Sequence, residues 1–362
     1  MRTYLIFFIL LFVLPFAVSA ADTHDENLPH VVILATGGTI AGTASSPTEL
    51  LGYKAGNISV DQLITSVPLL STYASIDGEQ FCNIPSDEMT PAIWLNLSRR
   101  VNEILADPGV DGIVITHGTD TLEETAYFLN LVVRSEKPVV MTGSMRPATA
   151  ISADGPLNLV NAVRLAGDPG AKGHGVLICL NNEINGARDS SKTMTEMVET
   201  FRSPDFGLLG YIQDGKPVFY RESTRRHTSA SEFNLAGITT LPKVDIVYAY
   251  AGMDRTAIDA FSSNKTRGLV FTSLGNGGYP KVVQGALLDL SAGGIPVVVS
   301  SRTGTGISVP DDAPLISADT LNPQKARILL MLALTRTGDN ETPVTVTRGG
   351  CYVVDDLYDF DS

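Results

Sequence analysis

Short apolar runs alternate with segments of helical spacing along most of the chain. Val31-Val32-Ile33-Leu34-Ala35 has no polar face, the pattern of a strand covered on both sides. It breaks into Thr36-Gly37-Gly38-Thr39, where two glycines allow a sharp turn. Runs at 112–115, 138–142 and 176–180 predict three more buried strands, and another is expected between Ser71 and Cys82. Ser59 with Gln62 reads as a capping box opening a short helix, and Thr121 with Glu124 as a second one, opening a helix through Val133. Thr90-Pro91 opens a helix whose buried stripe is Ile93, Leu97, Val101, Ile104 and Leu105, and Asp154-Gly155-Pro156 opens another, ending near Ala166.

Periodicity is lost from about Glu222 to Leu241 and then restarts. Strands are expected at 245–250, 268–274 and 296–301, and helices at 255–263, 280–290 and 322–335. The alternation predicts an α/β protein with two open, mainly parallel α/β domains. The larger N-terminal one spans 22–221, a linker 222–242, and the smaller C-terminal one 243–362. The tail from Gly338 is polar and acidic and has no assigned element.

The first 21 residues change the picture of where the chain works. Arg2, an apolar stretch from Leu5 to Val18 and Ser19-Ala20-Ala21 have the form of an export signal, so a periplasmic or secreted protein is expected. The formal net charge of −13 argues against nucleic acid or an anionic membrane as partner. Cys82, Cys179 and Cys351 are too few and too scattered for a disulfide framework or a zinc site, and Cys179 reads as a small core residue.

In an open parallel sheet, ligands bind at the carboxyl ends of the strands. Thr39 follows one predicted strand and Thr119-Asp120 another, so neighbouring strands would bring both to one edge. The glycine turn has neither the GK[ST] ending of a phosphate loop nor the G-x-G-x-x-G spacing of a dinucleotide site. Its threonines therefore either cap backbone groups or include a hydroxyl nucleophile. A nucleophile needs an activating group and oxyanion donors. Lys192 offers a charge that burial can tune; Gly118, Thr119 and the glycine turn offer N–H groups. The loop from Gly42 to Asn57, with Tyr53 in it, has the length of a lid.

Four segments make the reading specific: T-G-G-T-I-A-G at 36–42, H-G-T-D-T-L-E-E-T at 117–125, K-P-V-V-M-T-G-S-M-R-P at 137–147 and L-N-P-Q-K-A-R at 321–327. In that order they resemble the bacterial type II, exported L-asparaginases of the asparaginase/glutaminase family. The resemblance implies hydrolysis of the L-asparagine side-chain amide through an acyl-enzyme on Thr39, with Tyr53 assisting proton transfer. Thr119, Asp120 and Lys192 correspond to the second catalytic group. Ser86 and Asp87 are implied to bind the amino acid with Thr119 and Asp120. Asn276 and an acidic residue, Asp312 or its neighbour Asp311, would come from an adjoining subunit of a homotetramer with shared sites.

Slower action on L-glutamine is expected beside it; Asp87 stands where family members carry glutamine or glutamate, which leaves comparable action on both amides open, and the disulfide of some members has no counterpart. No cofactor or metal is implied. His117 reads as a structural hydrogen-bonding residue, since the family chemistry gives it no proton role. An exported amino-acid-binding protein without turnover would share the signal, the two domains and a hinge-like linker, but gives no reason for two threonines facing a lysine.

Overall fold

A computed structural model describes residues 28–310 and 314–336. The expected export signal, the tail from Gly338, Asp311 and Asp312 therefore lie outside the described residues. The strands are β1 (His30–Gly37), β2 (Ser75–Ile84), β3 (Gly112–Thr116), β4 (Val139–Thr142), β5 (Val176–Leu180), β6 (Glu183–Gly186), β7 (Ser191–Lys192), β8 (Phe201–Arg202), β9 (Gly210–Gln213), β10 (Lys216–Phe219), β11 (Val244–Tyr248), β12 (Gly268–Ser273), β13 (Val297–Ser301) and β14 (Ile316–Ser317). The α-helices are α1 (Val60–Thr65), α2 (Pro91–Leu105), α3 (Leu122–Val132), α4 (Gly155–Ala166), α5 (Thr256–Ser263), α6 (Lys281–Ala292) and α7 (Pro323–Arg336).

The larger sheet has the order β10-β9-β6-β5-β4-β3-β1-β2 and the smaller one β11-β12-β13-β14. From β5 to β2, and throughout the smaller sheet, neighbours are parallel; β6, β9 and β10 extend the large sheet antiparallel. The mainly parallel reading holds for the strands flanked by helices. The antiparallel extension is built from short strands joined by tight turns, such as Asn181 and Asn182 at positive φ between β5 and β6.

Side-chain alternation divides the core. Val31, Ile33 and Ala35 face α1 and α4, while Val32 and Leu34 face α2 and α3. The second cluster continues through α3 into α7 and onto the smaller sheet at Val244, Val270 and Val298. Nearly every residue of α3 is buried, as a helix enclosed between two layers requires. Trp94 of α2 stacks on Phe128 of α3, with ring centroids 5.4 Å apart. The two sheets thus share one apolar layer, and α5 and α6 cover the far side of the smaller sheet with a separate cluster.

Ser59 and Gln62 form both halves of the expected capping box on α1. At α3 that expectation is corrected: the Thr121 side chain does not cap the helix but donates to the Ser86 carbonyl at 2.7 Å. A backbone acceptor from a neighbouring loop replaces the local N–H partner that the spacing implied.

Because the apolar layer is common to both sheets, Phe128→Ala should lower stability by about 3–5 kcal/mol. Urea unfolding followed by near-ultraviolet and far-ultraviolet circular dichroism should give one shared transition rather than two.

Candidate functional site

β1 and β3 lie side by side in parallel register, Ala35 opposite Thr116, and their connections leave on opposite faces. The chain after β1 reaches β2 through α1, and the chain after β3 reaches β4 through α3. Such a reversal opens a crevice at the carboxyl edge. Into it project the turns bearing Thr39 and Thr119. Gly38 has φ +79°, and a Cβ there would lie 2.3 Å from Gly118 N, so the two turns touch backbone to backbone. Gly118 is crowded in turn, because a Cβ on it would stand 2.7 Å from Ser86 Oγ.

The resulting cavity, about 250 Å³, is lined by Thr39, Tyr53, Ser86, Asp87, Thr119, Asp120 and Lys192. Seven of the nine residues singled out from sequence therefore share one wall. Thr39 Oγ1 and the Tyr53 hydroxyl are 2.6 Å apart. Lys192 Nζ donates to Thr119 Oγ1 at 3.0 Å and to Asp120 Oδ1 at 2.5 Å. Thr39 and Thr119 are almost fully buried, whereas the Asp120 side chain is 66% exposed, so its carboxylate is open to an incoming charge.

The loop 42–57 lies over this cavity. An antiparallel bridge between Thr43 and Lys54 closes its base, and Gly56 N donates to Gly38 O, which holds Tyr53 against Thr39. Ser86 is fixed from both sides: its Oγ accepts the Asp120 amide at 3.2 Å and its carbonyl accepts Thr121 Oγ1. The Oγ–H of Ser86 remains a donor toward the cavity.

One donor expectation changes. Gly38 N–H is committed to Ile84 O at 3.1 Å, because β2 continues beyond the register shift after Ala35, so this glycine cannot serve as an oxyanion donor. Asn276 does not line the cavity: its Oδ1 accepts Val309 N–H at 2.9 Å in the second domain. Met145, Arg146, Thr195 and Glu196 do line it and were not singled out as site residues. The backbone of Met145 and Arg146 is held by Asp154, which accepts both amides, at 2.9 and 3.0 Å. Thr195 and Glu196 follow Lys192 directly, so their only sequence signal was proximity to that lysine.

His117 sits behind the cavity, fully buried. Gly118 O can only accept, so Nδ1 carries the proton in that 2.7 Å contact, and Nε2 accepts from Thr125 Oγ1 at 2.9 Å. Thr125 Oγ1 in turn accepts the Trp94 indole N–H. Burial pushes the His117 imidazole down to about 4. Burial likewise pushes the Cys82 thiol up to about 11 and Cys179 to about 12, which leaves both unreactive. Among the described residues no group of three or more His, Cys, Asp or Glu is arranged to hold a metal.

Fold and site together define a two-domain α/β protein whose crevice holds a threonine hydroxyl beside a lysine–threonine–aspartate row. Residues 30–225 match the family model described as Asparaginase, N-terminal, and residues 243–345 the Glutaminase/Asparaginase C-terminal domain. The chain is 47% identical over 325 residues to L-asparaginase 2 of Bacillus subtilis, covering 89% of this chain and 86% of that protein. It is 45% identical over 330 residues to a probable periplasmic L-asparaginase of Haemophilus influenzae, covering 90% and 94%. The crystal structure of a probable cytoplasmic L-asparaginase from Campylobacter jejuni superposes with a TM-score of 0.84 at 48% identity, covering 86% of this chain and 97% of that one. The chain belongs to the asparaginase/glutaminase family and is an enzyme of the asparaginase class.

The neutral buried His117 has a pH consequence. In the unfolded chain the imidazole takes up a proton as pH falls through about 6.5, while in the folded protein it resists until about 4. Stability is therefore expected to fall by about 2–3 kcal/mol between pH 6.5 and 4 from this group alone. Melting temperatures across that range should decline less steeply in His117→Gln than in the parent.

Proposed function

We propose that the enzyme hydrolyses the side-chain amide of L-asparagine to L-aspartate and ammonia through an acyl-enzyme on Thr39. The observation that carries this reading is the convergence of the Thr39–Tyr53 pair and the Lys192–Thr119–Asp120 row on one cavity. The Thr39 oxygen attacks the amide carbon, its proton passing toward Tyr53, and the amide nitrogen leaves as ammonia once protonated. Water polarised beside Thr119, under the field of Lys192, then cleaves the ester to free aspartate and regenerate the hydroxyl. The amides of Thr39 and Thr119 are assigned as donors to the oxyanion. Asp120 pairs with the substrate ammonium, and Ser86 Oγ–H with the Asp87 amide receives its carboxylate.

A second reading within the same chemistry is a glutaminase-asparaginase. Its support is Asp87, shorter by a methylene than the side chains family members carry there and set in an exposed turn at the cavity wall. One methylene in a pocket is worth about 1–3 kcal/mol, so preference between the two amides is a matter of ratio. The hinged binding protein loses support because α3 and α7 share one apolar layer across the two sheets.

The substrate is a small amino acid; the assembly is assigned as a homotetramer. Asn276 stays with its own second domain, away from its own chain's cavity, which fits a role in a neighbouring subunit's site. The division into domains at 222–242 and export to the periplasm or medium complete the reading. The export assignment rests on the pattern of residues 1–21, and a Haemophilus influenzae relative bears the name periplasmic.

Ammonia release should be measured from both amides across a concentration series, and release from neither would overturn the reading. Thr39→Ala should lower kcat for asparagine by about 10³-fold or more while binding persists in calorimetry. Sedimentation should give a tetramer, and Asn276→Ala should lower kcat/KM without changing the fold; a monomer with full activity would remove the shared-site assignment.

A further inference from the structure

The segment that carries Lys192 is gripped by groups the catalytic reading does not use, and they come from both domains. Lys192 N–H donates to Glu123 Oε2 at 2.6 Å. The other oxygen, Glu123 Oε1, accepts Asn322 Nδ2 at 2.9 Å and Gln324 Nε2 at 2.6 Å. Asn322 Nδ2 also donates to Ser191 Oγ at 2.9 Å. On the opposite side, Lys325 Nζ donates to the carbonyl of Arg188 at 2.9 Å and to that of Ser190. The strand end bearing the site lysine thus has an anion on its amide and a cation on two of its carbonyls.

Both charges are buried: Glu123 is 3% exposed and Lys325 1%. Glu123 lies in the first turn of α3, where the helix dipole favours an anion. Lys325 lies in the first turn of α7, where the dipole opposes a cation, and burial pushes its ammonium down to about 8 against the pull of Glu123, Asp189 and Glu124. Neither helix stability nor solvation accounts for a lysine there. Its ammonium is spent instead on carbonyls of the segment leading to Lys192.

We infer that Glu123 and Lys325 are positioning residues that set the Lys192 ammonium against Thr119 and Asp120, so that the second domain contributes to catalysis through Asn322, Gln324 and Lys325. This rests on the reading of Lys192 as part of the site. Lys192 ends a two-residue strand of a half-buried two-stranded ribbon, and its long side chain has many rotamers; anchoring its backbone on both sides restricts where Nζ can reach, and small misplacements of a catalytic group are costly.

The test uses the full chain carrying Glu123→Gln, which keeps the shape and removes the charge, Gln324→Ala, and the exchange pair Glu123→Gln with Gln324→Glu. In Glu123→Gln, an amide cannot accept from Lys192 N–H and from both side-chain amides at once. Its kcat for asparagine should fall at least about tenfold with KM within about threefold, and Gln324→Ala should show a smaller loss of the same kind. The exchange pair restores an acceptor for Lys192 and a carboxylate for its neighbours, and should recover most of the lost kcat. Unchanged kcat in Glu123→Gln, or a loss that tracks folded fraction and is not recovered by the exchange, overturns the proposal. Crystal structures of the parent and Glu123→Gln read it without turnover: the 3.0 Å contact of Lys192 Nζ with Thr119 Oγ1 should lengthen in the variant, and an unmoved lysine also overturns it. A parent that releases no ammonia defeats the catalytic reading alone, and the crystallographic arm then decides positioning.

Discussion

The parallel pairing of β1 with β3 is the constraint from which the site follows. It aligns the last residues of both strands, so the two turns leave the sheet at the same level and meet at Gly38 and Gly118. With connections departing on opposite faces, a crevice opens above that pair, the space a ligand would take. Any side chain at Gly38 would drive the turns apart, since its Cβ would collide with backbone, which cannot yield as a flexible side chain can. The hydroxyls of Thr39 and Thr119 are brought to one cavity by main-chain geometry before any side-chain interaction is counted.

Helix α3 extends that constraint into the rest of the molecule. Its N-terminal approach carries Thr119, Asp120 and Thr121, its first turn carries Glu123, and its body is packed between the large sheet and α7. The site and the contact between domains are therefore ends of one element. The His117–Thr125–Trp94 chain of hydrogen bonds secures the start of α3 beneath the cavity, with each polar atom given a partner out of water. Burial keeps His117 neutral, so it places no charge beneath the turn that carries Thr119 and Asp120.

Much of the architecture was legible along the chain because strand and helix periods are local. The strands at 112–116 and 176–180, the proline-opened α2 and the capping box on α1 stand close to where the pattern put them. Thr121 was misread because its hydroxyl can accept from a local N–H or donate to a carbonyl, and the partner it takes, Ser86 O, lies 35 residues away. Gly38 was misread as a free donor because its acceptor, Ile84, lies on a strand that pairs only after the chain has folded. Glu123 has the place of an ordinary first-turn acid, and only the approach of Asn322 and Gln324 makes it a junction.

By itself the sequence determined what depends on neighbours along the chain: apolar period, helix starts, glycines where φ must be positive, and two threonine-bearing turns after strands. The tertiary structure alone decided which strands are adjacent, and hence that Lys192 meets Thr119 across 73 residues and Gln324 meets Glu123 across 201. The physical reason is one of range. Backbone sterics and side-chain period act over a few residues, whereas a hydrogen bond between distant segments exists only once packing has brought them within 3 Å, and leaves no periodic mark on the sequence that makes it.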